Sequence, residues 1–164
     1  MVTRKPPRIV IWLNRAPVAL YRARLGGLLG GRFLMLTAIG RTSGLARRTV
    51  LEVVQRGEGS PPTLWVLAAR GRRTDWYRNA LANPHVDVHW RSRRFSATAH
   101  PLDEPERTRR LAEYRRRHPR TARLLGSTAV GVPFTGQDDV LQKLAHELRM
   151  LRLEPDSPDV AAPR

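Results

Sequence analysis

Two apolar, strand-like runs, Phe33–Ile39 and Arg48–Gln55, flank the octapeptide Gly40-Arg41-Thr42-Ser43-Gly44-Leu45-Ala46-Arg47. This junction constrains the chain most, because two extended segments joined through a tight glycine turn return as an antiparallel hairpin. Glycines at both ends permit positive φ, so several backbone N–H groups can point into one concavity. Thr42 and Ser43 add hydroxyls, while Arg41 and Arg47 bring planar guanidinium forks that match phosphate geometry. The turn therefore reads in two ways: a cradle for a phosphate, or an ordinary hairpin turn with its arginines in solvent.

The chain's 164 residues suffice for one domain with a genuine core. It has no cysteine, which excludes disulfides, thiolate metal sites and cysteine nucleophiles. Thirty basic residues against 14 acidic give a formal net charge of +16, and nearly all the bases are arginine; Lys5 and Lys143 are the lysines. Such a field favours anionic partners: nucleic acid, an acidic membrane surface or a phosphorylated cofactor. The stretch Ile9 to Leu29 is interrupted by Arg15, Pro17, Arg22 and Arg24, so it fails as a membrane span. Its apolar centre, Ile9–Leu13, is too short for a signal sequence, and a cytoplasmic location is expected.

Periodicity predicts an amphipathic helix over Ile9–Leu25, ended by Gly26-Gly27 and Gly30-Gly31. With Trp12 and Tyr21 on an arginine-bearing helix, it either lies at a membrane surface or packs on the domain. Residues 1–31 form this helix and its glycine-rich linker. The run Arg48–Gln55 reads as a strand largely buried on both sides, Arg56–Pro62 as a loop and Thr63–Ala69 as a third strand. A short helix starts at Thr74 as N-cap and must stop by Asn83, before Pro84. Trp76, Tyr77, Ala80 and Leu81 share its predicted inner face. Val86, Val88 and Trp90, then Phe95, Ala97 and Ala99, alternate with polar residues as a hairpin, placing His89 and His100 on solvent faces. Asp103 with Glu106, and Arg115–Arg117 in the last turn, mark a helix over Asp103–His118. A further helix is expected over Gln137–Leu148 and a strand over Met150–Leu153. The proline-rich tail from Glu154 is expected to be disordered. The strands do not alternate with long helices, so the fold class is α+β, mainly β: a small antiparallel barrel with flanking helices, spanning 32–154 and followed by the tail 155–164. The scattered histidines give no metal-ligand spacing.

The ordered segments LTAIGRTSGLARRTVLEV, LWVLAARGRRTDWYRNALANPHVDV and FSATAHPLDEPER resemble the deazaflavin-dependent nitroreductase family, small split β-barrel proteins that use the deazaflavin coenzyme F420. The resemblance covers Gly27 to Tyr114, with the last strand extending it to Pro155. A GR-x-SG-x-x-R turn and a DWYRN-x-x-x-NP helix-to-strand junction carry it. It implies that Gly40, Arg41, Thr42, Ser43, Gly44, Arg47 and Arg48 grip the phosphate and acidic tail of the cofactor. It further implies that Ala68, Ala69 and Arg70 lie along the cofactor and that Trp76, Tyr77 and Asn79 shape its pocket; FMN is the second-ranked cofactor. Plain core packing accounts equally well for Trp76 and Tyr77. The family commonly has Lys where Thr42 stands, Ser where Ala69 stands, and tyrosines where this chain has His118–Leu125; the stretch Val132–Leu148 also departs from it.

The resemblance implies hydride transfer from reduced F420 to a small-molecule acceptor, a quinone or nitro compound, with the cofactor carrying the chemistry. Tyr77 and Tyr114 are the side chains placed as candidate proton donors. A carrier that binds the deazaflavin without turnover is the alternative, a homodimer is consistent with the fold, and peripheral membrane contact would run through the first helix. A nucleic-acid-binding module ranks last: its arginine clusters at 70–73, 91–94 and 115–123 come without a helix-turn-helix, zinc or aromatic-interleaved signature.

Overall fold

The computed structural model describes residues 31–156, without the Arg72 side chain; the predicted N-terminal helix and the chain beyond Asp156 lie outside the described residues. Six strands close an antiparallel barrel: β1 (Phe33–Ile39), β2 (Ala46–Gly59), β3 (Pro62–Ala68), β4 (His85–Trp90), β5 (Arg93–Pro101) and β6 (Arg149–Pro155). Around the barrel the order is β1-β2-β3-β6-β5-β4. The β1–β2 ladder runs from Phe33 opposite Glu52 to Ile39 opposite Ala46, and β1 closes onto β4 from Leu34–Trp90 to Thr37–Asp87. The helices are α1 (Asp75–Ala82), α2 (Glu104–Arg117), α3 (Pro119–Ala129) and α4 (Asp138–Glu147), with a 3-10 turn at Gly71–Arg73.

The period of two sorts the strand side chains into two cores. Leu64, Val66 and Ala68 of β3 and Leu151 and Leu153 of β6 fill the barrel. Their neighbours Trp65 and Met150 point outward, under α2–α4, where they pack with Leu111, Tyr114, Phe134 and Leu144. Buried Arg107 ties this layer to the barrel end, donating Nε to Ala145 O at 2.8 Å and Nη1 to Leu102 O at 2.5 Å.

Several expectations are corrected. The segment Arg56–Pro62 is no loop: β2 is 14 residues long, and only Ser60-Pro61 separate it from β3. Alternation along β2 points Leu51 and Val53 into the barrel and Val54 to the outer layer, and two register shifts interrupt its ladder with β3. Nor is β2 buried on both sides; Leu51 and Val54 are its buried residues, and Ala46–Arg48 are exposed. On α1 the buried side chains are Tyr77, Asn79 and Ala80, whereas Leu81 is 44 % exposed. His89 points out of the barrel yet is buried. β6 extends past Leu153, with Glu154 opposite Thr98 and Pro155 opposite Ala97, so the expected tail begins two residues too early.

Helix α3 was not anticipated. Pro119 opens it, and Ala122, Leu125 and Gly126 form its buried stripe. That spacing is present in the sequence, but arginines at 120 and 123 and a mid-helix glycine mask it. Gly126 is there for close approach: a Cβ would lie 2.4 Å from Phe134 N and Val132 O.

Candidate functional site

The β1–β2 turn closes on itself. Gly40 N–H donates to Leu45 O at 2.9 Å and Gly44 N–H to Gly40 O at 2.8 Å. Gly44 holds φ +66°, so the backbone demands glycine there; Gly40 is not at positive φ, contrary to expectation, and a Cβ on it would crowd the Ser43 hydroxyl at 2.7 Å and Leu45 O at 3.2 Å. Arg41 is spent on α1: its N–H donates to Asn79 Oδ1 at 3.2 Å, its Nη1 to the same oxygen at 2.8 Å, and its Nη2 to Asp75 Oδ1 at 3.0 Å. Buried Asn79 therefore serves as the acceptor that clamps turn to helix. Ser43 Oγ accepts from Leu45 N–H and from Arg47 Nη2, both at 3.4 Å. The amides of Thr42 and Ser43 have no partner among the described residues. What remains uncommitted at the turn is compact: two amides, a hydroxyl and Arg47.

Beside this turn lies a groove of about 420 Å³, walled by Gly40, Arg41, Thr42, Ser43, Arg47, Trp76 and Asn79 among others. A second groove of about 640 Å³ adjoins it, sharing Thr49, Asp75 and Trp76. Arg48, Ala69, Arg70, Trp76 and Tyr114 line this second chamber, and Leu67, Leu124 and Leu125 make it apolar on one side. Most of the residues singled out in the sequence thus converge on one cleft. Gly44 stands at the turn and lines neither groove. Ala68 and Tyr77 belong to the barrel core, so the packing account of Tyr77 is the one its geometry matches.

On one side of the second groove sequence reasoning singled out Tyr114 but missed Arg32, Glu52 and Thr121 around it. Tyr114 donates its hydroxyl to Glu52 Oε1 at 3.1 Å, and Arg32 donates Nε to the same oxygen at 3.1 Å and Nη2 to Thr121 Oγ1 at 3.1 Å. Burial first, then the adjacent Glu52 carboxylate, push the Tyr114 phenol well above its ordinary pKa. It stays protonated, a poor acid and a firm hydrogen-bond donor. Glu52 left one signal, a charge within an apolar strand; Thr121 left none, because α3 itself went unread.

Among the described residues no helix is long and apolar enough to cross a membrane, and no cluster of three or more His, Asp or Glu residues is placed to hold a metal.

No curated protein matches the chain. Solved structures match as folds. An F420-H2 dependent reductase is 20% identical with a TM-score of 0.51, covering 75% of this chain and 94% of its own. A pyridoxamine 5'-phosphate oxidase-related, FMN binding protein from Nostoc punctiforme is 16% identical with a TM-score of 0.53, covering 94% of this chain and 83% of its own. A chain described as a domain-swapped dimer is 19% identical with a TM-score of 0.51, covering 84% and 99%. At such identities these likenesses establish the fold alone, a split barrel. The sequence itself matches the family model for F420H(2)-dependent quinone reductase over residues 12–133. Since that match runs across most of the chain, the protein belongs to the F420H(2)-dependent quinone reductase family and is an F420-dependent oxidoreductase.

Proposed function

We propose that this oxidoreductase passes a hydride from reduced F420 to a quinone, with the cofactor's anionic tail held at the Gly40–Arg47 turn and its flat ring in the adjoining groove. The observation that carries the reading is the continuity of the two grooves through Thr49, Asp75 and Trp76, a polar cradle leading into a partly apolar chamber. The residues fit such a ligand. Thr42 and Ser43 offer uncommitted amides and Arg47 a guanidinium to a phosphate. Arg41, locked onto Asp75 and Asn79, holds the turn in place before anything binds. Ala69, Arg70 and Trp76 flank the ring position, and Leu67, Leu124 and Leu125 limit water there.

When bound, the reduced deazaflavin supplies the hydride. The chain orients the two reactants and shields them, and Arg48 and Arg70 offset negative charge arising on the acceptor. Tyr114, held as a phenol by burial and by Glu52, anchors the chamber wall, and the acceptor's proton enters from solvent.

Titrating oxidised F420 with the protein and following its fluorescence tests the binding step. Mixing reduced F420 with menadione or a nitroaromatic then tests transfer, with menadione expected to react faster. Absence of binding removes the assignment of the cleft; tight binding without transfer to either compound leaves a carrier. A homodimer belongs to the same reading, supported by the exposed apolar side chains of Ile39, Leu45 and Leu81; sedimentation as a monomer at micromolar concentration would refute it.

A further inference from the structure

We propose that Glu52 is a specificity-determining residue of the second groove, taking a hydrogen bond from an N–H or O–H group carried by the electron acceptor; the inference rests on the assignment of that groove given above. Glu52 sits on β2 opposite Phe33, in the wall of the 640 Å³ chamber, with 26% of its side chain exposed.

Its bonds are one-sided. Arg32 Nε at 3.1 Å, Arg32 Nη2 at 3.0 Å and Tyr114 Oη at 3.1 Å all address Oε1. Oε2 accepts no hydrogen bond from any described residue. An ionised carboxylate offers about four lone-pair sites, so roughly half its capacity is unspent. The carboxylate is held from several sides, because Arg32, Glu52, Tyr114 and Thr121 come from four separate segments and are joined in one chain of hydrogen bonds, Thr121 to Arg32 to Glu52 to Tyr114. A fixed carboxylate with one free oxygen in a ligand chamber is built to accept.

The consequence is a preference in substrate class. An unsubstituted quinone or nitro compound brings oxygen acceptors only, and these face Oε2 lone pair to lone pair. An acceptor bearing an amino or hydroxyl group satisfies it. A site that hydrogen-bonds a substrate N–H or O–H discriminates against the analogue lacking it, because its own polar group is then left unpaired. The high pKa of Tyr114 keeps that phenol a donor to Oε1, so Glu52 does not turn toward other duties as pH rises.

The test compares 2-amino-1,4-naphthoquinone with 2-methyl-1,4-naphthoquinone in the full chain and in Glu52→Gln, together with the affinity of oxidised F420 read by fluorescence. The ratio of kcat/KM, amino over methyl, is expected to fall about tenfold in Glu52→Gln, mainly through KM, a modest figure because Glu52 is partly solvated. Cofactor affinity is expected to stay within about twofold, as for a side chain that does not touch it. If Glu52→Gln does not fold, Arg32→Met, which loosens the anchor and keeps the carboxylate, is expected to lower the same ratio about threefold. An unchanged ratio in the folded variants overturns the proposal. So does a large loss of F420 affinity with the ratio intact, which would turn Oε2 toward the cofactor. Failure of the wild-type protein to bind F420 at all is a separate outcome, and it removes the groove assignment on which this proposal stands.

Discussion

Arg41 and Arg47 flank the same turn and do different work. Arg41 is consumed by Asn79 and Asp75, whereas Arg47 hydrogen-bonds, among the described residues, only to Ser43 Oγ, at 3.4 Å. Arg47→Ala is therefore expected to weaken F420 binding by about 1.5–3 kcal/mol, the range for charge-assisted hydrogen bonds, with little change in Tm. Asn79→Ala strips two donors of their acceptor and is expected to cost about 1–3 kcal/mol of stability as well as affinity. Melting curves and fluorescence titrations on both variants separate the two roles. Tyr114→Phe removes a donor to Glu52 rather than an acid, so its kcat should stay within about threefold of wild type under the protonation argument above; a hundredfold loss would return Tyr114 to the reaction.

His89 shows what burial does at the same scale. Desolvation, then the nearby Arg94, lower its pKa from 6.5. Between the lowered folded value and the unfolded one, the unfolded chain binds more protons. The stability His89 contributes is thus full above 6.5 and is lost as pH falls through that range. Acid melts should show a slope below pH 6.5 that His89→Gln flattens; an identical slope in both proteins would clear His89.

At the level of elements, α3 is the piece that makes the second groove a chamber, supplying Thr121, Leu124, Leu125 and Thr128 to its wall. Its seat depends on Gly126, where an added methyl would collide with backbone at Phe134 and Val132. Gly126→Ala is expected to destabilise the protein by about 1–3 kcal/mol, the overpacking range, and to perturb acceptor KM more than F420 affinity. Calorimetry with steady-state kinetics checks both halves. Helix α2 is secured more conventionally: Asp103 Oδ1 accepts from Glu106 N–H at 2.8 Å, the cap expected from the sequence. Asp103→Ala should cost about 1 kcal/mol and leave the cleft alone.

For the whole molecule, the +16 charge of the chain acts on association rather than on the barrel. A polyanionic cofactor approaching so positive a surface should bind with an on-rate that drops steeply between low and physiological salt. Stopped-flow fluorescence reads this directly, and a salt-independent rate would mean that the arginines near the cleft do not steer.

What the chain's own order determined was local. The turn with its two glycines, the cap at Asp103, the end of α1 before Pro84 and the alternation of β4 and β5 depend on residues a few positions apart, whose conformational preferences act before any packing. The turn residues drew notice for the same reason, whereas Trp76, Tyr77 and Asn79 were singled out through the family resemblance alone. Tertiary structure alone decided the rest: that Arg41 and Asn79, 38 positions apart, cancel each other's needs, that Tyr77 faces the core, that His89 is covered, and that Arg32, Glu52, Tyr114 and Thr121 are joined by hydrogen bonds. Those outcomes turn on how strands twist and helices settle against the closed barrel. Hydrogen-bond partners separated by tens of residues leave no mark on local periodicity, because distance along the chain carries no record of direction in space.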